Sequence, residues 1–147
     1  MKGILLISHG PLAEGMLHTA EVFFGKDIPQ MNYLLLNADD DPVDFRGRLE
    51  EAVKAVDTGD GVLVFADLLG GTPCNQSMFV ASDKVTVITG MNLPMVMECL
   101  GMRMGGEISA DALEETGKGG IVNFNKILEE KKNSGRKRRR SKEASEE

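Results

Sequence analysis

Tryptophan is absent from the 147 residues, tyrosine occurs once, and only two cysteines and two histidines are present. No apolar run approaches the ~20 residues of a membrane span. The opening MKGILLISHG turns polar too early for a signal peptide and shows no cleavage site. Cys74 and Cys99 have neither paired nor metal-like spacing, so two free thiols in a reducing, cytoplasmic setting are expected. With so few histidines and cysteines, no metal site is supported. Basic residues are scarce through most of the chain. Residues 1–130 carry nine Lys+Arg against twenty Asp+Glu, a net charge of −11, while residues 131–147 carry eight against three, a net of +5. An acidic body argues against a nucleic-acid face on the domain and suits a basic protein partner.

The chain does hold enough apolar residues, 41%, for one ordinary core. Short apolar runs alternate with amphipathic segments. Strands are expected at GILLI (3–7), MNYLLLN (31–37), GVLVFAD (61–67), KVTVITG (84–90) and, last, IVNFN (121–125). Between them Leu12, Met16, Ala20 and Phe23 form a helical stripe ending at Gly25. Asp41-Pro42 with Asp44 reads as a helix start. Further helices are expected from about Cys74 to Ala81, over LPMVMECLGM, and over SADALEETGKGG. Strands apolar on both faces, alternating with helices, give an α/β fold. Its form is a doubly wound, mostly parallel sheet with helices on both faces. The expected organisation is one ordered domain over 1–130, then a disordered basic tail or linker remnant over 131–147.

In open α/β sheets ligands collect beyond the carboxyl ends of the strands. Those ends here carry Ser8-His9-Gly10, Asn37-Ala38-Asp39, Asp67 followed by Leu68-Leu69-Gly70-Gly71-Thr72-Pro73, and Thr89-Gly90-Met91-Asn92. His9 at a strand end beside glycine suits proton transfer or nucleophilic attack. His18, mid-helix beside Leu17, reads as a structural or surface residue. Asp67 is either a loop anchor or the group that orients one ring nitrogen of His9 and leaves the other free. Gly70 and Gly71 form a turn into a helix, the kind of backbone that holds an anion, and the Thr72 hydroxyl is placed to assist. No Gly-Lys-Ser/Thr follows, so this is not a nucleotide P-loop.

Taken together, Ser8-His9-Gly10, the stretch from Asp67 to Asn75 (DLLGGTPCN) and the stretch from Thr89 to Met95 (TGMNLPM) resemble the IIA component of the mannose/fructose/sorbose family of the bacterial sugar phosphotransferase system. The likeness covers roughly residues 1–128. It implies a phosphotransferase component without a cofactor, in which His9 accepts a phosphoryl group from phospho-HPr and passes it to a IIB component. The membrane IIC and IID components would then take up the sugar. It implies catalytic roles for His9 and Asp67 and phosphate binding at Thr72, next to the Gly70-Gly71 turn expected to hold the anion. It also implies a cytoplasmic homodimer whose last strand, IVNFN, is exchanged between subunits. Two other functions use the same strand ends. One is the IIA-like phosphotransfer subunit of a dihydroxyacetone kinase. The other is a non-enzymatic regulatory domain that binds a small anion.

Overall fold

The computed structural model describes residues 1–146. Four parallel strands, β1 (Gly3–His9), β2 (Met31–Leu36), β3 (Val62–Ala66) and β4 (Val85–Ile88), lie in the order β2-β1-β3-β4. The first three are flanked by α1 (Leu12–Phe24), α2 (Pro42–Val56) and α3 (Thr72–Ser77); α4 (Leu93–Gly105) and α5 (Ala110–Gly119) follow β4. The chain steps one way from β1 to β2 and the other way from β2 to β3, so α1 and α2 fall on opposite faces. Leu5 and Ile7 of β1 pack with Phe45, Leu49, Val53 and Val56 of α2 on one face. Ile4 and Leu6 pack with Ala13 and Ala20 of α1, Val96 and Leu100 of α4, and Leu113 of α5 on the other. β3 is buried at every residue, as a strand covered on both faces must be. The doubly wound α/β expectation therefore holds.

Local chemistry sets the helix starts. The Asp41 carboxylate accepts from the Asp44 N–H at 3.3 Å, with Pro42 in the first turn. Asn92 accepts from the Met95 N–H at 3.1 Å, and its amide donates to the Gly117 carbonyl at 2.8 Å. Gly117 has no Cβ to strike Met95, so α5 sits close against α4. Cys99 packs on one face of the sheet and Cys74 on the other, which keeps the two thiols apart. No described helix is long and apolar enough to cross a membrane.

Past residue 120 the structure corrects two expectations. IVNFN is not a strand: residues 121–123 belong to no regular element, and Phe124 opens a helix, α6 (Phe124–Glu146). The apolar alternation calls for extended backbone, but a strand needs an edge to pair with, and within one chain this segment meets none. The tail expected to be disordered is helical over 131–146, and Glu147 lies outside the described residues. Its composition rules out a packed core. It does not rule out a helix, because Lys, Arg and Glu are good helix formers. The third helix is also shorter than expected and starts earlier, at Thr72 rather than near Cys74.

Candidate functional site

The site lies where the winding direction reverses, between the carboxyl ends of β1 and β3. These strands are hydrogen-bonded neighbours, with Ile7 opposite Ala66. His9 is the last residue of β1 and Asp67 follows β3 directly. One carboxylate oxygen, Asp67 Oδ2, accepts both the His9 backbone N–H at 2.9 Å and the imidazole Nδ1 at 2.7 Å. The second oxygen accepts the Leu68 N–H at 2.9 Å. The Asp67 side chain is 4% exposed and that of His9 45% exposed. A buried group therefore holds an accessible one.

Burial pushes the Asp67 carboxyl pKa up. The His9 backbone N–H, the His9 ring and the Leu68 N–H together outweigh it and leave the pKa below its ordinary value. Asp67 is therefore ionised at neutral pH and can only accept hydrogen bonds. Nδ1 must then carry the ring proton, and in the neutral imidazole Nε2 is the nitrogen with a free lone pair. The structure brings His9 and Asp67 together in the geometry the sequence reading set out.

The turn after Asp67 supports the ring. Gly70 has φ +86°, a left-handed conformation that favours glycine. A Cβ on Gly71 would stand 3.2 Å from His9 Nε2 and closer still to Cε1. The imidazole thus rests on bare backbone. The Asn75 amide donates to the Gly70 carbonyl at 3.1 Å and holds the turn against α3. Thr72 opens α3 and shares a cleft of about 450 Å³ with His9, Gly10, Leu36, Asn37, Ala38 and Asp40. Gly71 therefore lies against the His9 ring and Thr72 shares its cleft, while Gly70 shapes the turn between Asp67 and α3.

The sequence reading missed two contributors. Ser8 is fully buried; its hydroxyl donates to the Gly10 carbonyl at 3.0 Å and accepts the Ala13 N–H at 2.8 Å. It fixes the turn that carries His9 into α1, whose own N-cap, Pro11, has no capping side chain. Asn75 is the other. Its signal was a carboxamide one turn into a helix behind paired glycines. Leu12, at the start of α1, and Leu68 and Leu69, directly after Asp67, expose 50%, 51% and 78% of their surface. Asp39 and Asp41 are exposed beside them at the end of β2.

His18 stands elsewhere, exposed on α1, with its Nδ1 2.8 Å from Glu21. A second cavity, of about 200 Å³, opens at the opposite ends of the strands, lined by Phe24, Leu100, Arg103 and Met104 among others. There the buried Arg103 guanidinium donates to the carbonyls of Lys2, Pro29 and Gln30. Among the described residues no three His, Cys, Asp or Glu side chains converge as metal ligands would.

Comparison with known proteins bears on this geometry. The family model described as "PTS system fructose IIA component" matches residues 3–115. The mannose-specific EIIAB component of Escherichia coli K12 is 31% identical over 124 residues, which cover 80% of this chain and 38% of that protein. The chain thus spans well under half the length of that relative. A PTS IIA protein associated with the fucose utilization operon of Streptococcus pneumoniae superposes with TM-score 0.78 at 31% identity, covering 86% of this chain and 96% of that one. The EIIA component of Streptococcus agalactiae superposes with TM-score 0.73 at 30% identity, covering 86% and 99%.

Proposed function

The chain belongs to the family of PTS fructose IIA components, and from that premise we propose that it is a phosphocarrier in sugar uptake, with the phosphoryl group carried on His9 Nε2. The observation that carries this reading is the pairing of His9 Nδ1 with the buried Asp67 carboxylate, which leaves Nε2 as the unengaged nitrogen of a half-exposed ring. In the step, Nε2 attacks the phosphorus of the phosphohistidine on HPr. The new P–N bond forms as the old one breaks, and the donor imidazole leaves. His9 keeps its Nδ1 proton, so its ring becomes cationic, and Asp67 offsets that charge. Gly71 holds the ring in line. The Thr72 hydroxyl and the backbone N–H groups that open α3 face the phosphoryl oxygens. Transfer between two histidines is nearly balanced chemically, so positioning and charge compensation suffice and no metal or cofactor is called on.

The reverse geometry hands the group to a histidine of a IIB component, and the membrane IIC and IID components use it downstream. The exposed leucines and acidic residues around the cleft suit a small, transient interface with a basic partner in the cytoplasm. The protein acts as a homodimer. The outer edge of β4 pairs with no strand among the described residues, and a groove beside it is lined by Thr86–Thr89 and α5. Ile121 and Val122 are 80% and 57% exposed and residues 121–123 lie outside any helix, so this stretch is free to add to that edge in a second copy.

The test is an intact-mass measurement after incubation with phosphoenolpyruvate, enzyme I and HPr. The reading expects one added phosphoryl group, labile in acid, retained in His18→Ala and lost in His9→Ala. No added mass with active partners refutes it. Phosphate passed on to dihydroxyacetone kinase subunits rather than to a IIB component refutes the uptake role.

A further inference from the structure

The phosphocarrier chemistry leaves α6 unused. From Lys131 to Lys142 the sequence carries eight cations and no acid, five of the cations consecutive from Arg136 to Arg140. Every residue from Leu128 to Ser145 is exposed. A helix with no packed face is marginal in water, and like charges one turn apart weaken it further. This stretch forgoes stability in the free chain to keep its cations outward.

At about 100° per residue, six of the eight cations, Lys131, Lys132, Arg136, Arg138, Arg139 and Lys142, fall within one arc of about 160°. Leu128 lies in the same arc, as does Glu143 near its C-terminal end, with Ile127 at its margin. We propose that α6 binds an anionic lipid surface, lying along it with this arc toward the headgroups. A one-sided cationic face with an apolar residue at its head matches a plane of negative charge. A polynucleotide is the poorer fit. Phe124, at the start of α6, is its one aromatic side chain, and none lies among the cations of 131–142 to stack on bases. This inference stands on the tail alone and holds whether or not His9 carries phosphate.

The test uses the full chain in flotation with vesicles of phosphatidylcholine alone, or with a third of the lipid replaced by phosphatidylglycerol. Binding is expected only with the anionic lipid, at ~0.1 M salt, and lost at ~1 M, where the screening length falls from ~10 Å to ~3 Å. Each Lys or Arg at such a surface contributes about fivefold in affinity. Replacing Arg136, Arg138, Arg139 and Arg140 by glutamine, a comparable helix former, should therefore weaken partitioning at least ~100-fold. An unchanged melting temperature of that variant shows the body still folded. Three results overturn the proposal: equal binding to neutral vesicles, no binding to anionic ones at low salt, or full binding by the glutamine variant. Release of the protein from anionic vesicles by an RNA hairpin or DNA duplex at equal phosphate concentration assigns the tail to nucleic acid instead.

Discussion

Replacing Asp67 by asparagine and by alanine separates charge from orientation at His9. The carboxylate does three jobs: it accepts the His9 backbone N–H, the His9 ring N–H and the Leu68 N–H. An asparagine has one acceptor oxygen. Facing His9 it keeps two of these bonds, and facing Leu68 it keeps one, so it settles with oxygen toward His9. Nδ1 then remains the donor and Nε2 remains free. What disappears is the negative charge. At the 2.7 Å separation a unit charge pair is worth about 6 kcal/mol at an effective dielectric of 20 and about 1.5 kcal/mol in water. With the ring nearly half exposed the value lies toward the lower figure, about 2–3 kcal/mol. Asp67→Asn should therefore slow phosphoryl transfer roughly 30- to 150-fold. Asp67→Ala also frees the tautomer and the ring, and a misplaced nucleophile costs about another 10²-fold. Rapid-quench transfer from labelled phospho-HPr reads both variants. Wild-type speed in Asp67→Asn refutes the charge argument. Equal rates for the asparagine and alanine variants refute the orientation argument.

Other consequences follow from the same geometry. Gly71→Ala introduces a Cβ into the space of the imidazole, so the ring must leave Asp67. Transfer should fall about 10²-fold with little change in melting temperature, and a wild-type rate would show that the ring does not rest there. The Asp67 carboxyl is depressed in the folded state, so its contribution to stability is present above the ordinary 3.8 and is lost as pH falls through the folded value. Denaturant titrations below about pH 4 should show Asp67→Asn losing less stability with acid than the wild type does; parallel losses would deny the shift. Val122→Pro removes a ladder donor from the segment assigned to β4 of a second copy. Sedimentation should then find monomers where the wild type gives dimers, and an undisturbed dimer would place the contact elsewhere.

Much of the fold was legible because the evidence for it is local. GVLVFAD reads as a strand covered on both faces, and β3 is buried throughout. Asp41-Pro42 announces a helix start, and its carboxylate caps one. The strand-end location of His9 and Asp67 was legible from the alternation of strands and helices. That β1 and β3 are neighbours was not, and the bond between two residues 58 apart depends on it. What stayed hidden depends on neighbours that local pattern cannot name. Gly71 was read as part of an anion turn, yet its direct contact is with an imidazole brought from β1. Ser8 gave no sign that its hydroxyl joins a strand to the next helix. IVNFN has strand-like alternation, but whether such a run pairs depends on its reaching an open edge, and in the described chain it pairs with neither β2 nor β4. The tail's composition excluded a core and left its helicity undecided, because charged helix formers satisfy both descriptions.

The central claim is that His9 accepts the phosphoryl group on Nε2 because Asp67 holds Nδ1. The most direct measurement is ¹⁵N NMR of the histidine side chains before and after phosphorylation by HPr. The account predicts that His9 begins with its proton on Nδ1, and that phosphorus coupling then appears at Nε2 of His9 and nowhere on His18. Coupling at Nδ1 of His9, or at neither of its nitrogens, would contradict it.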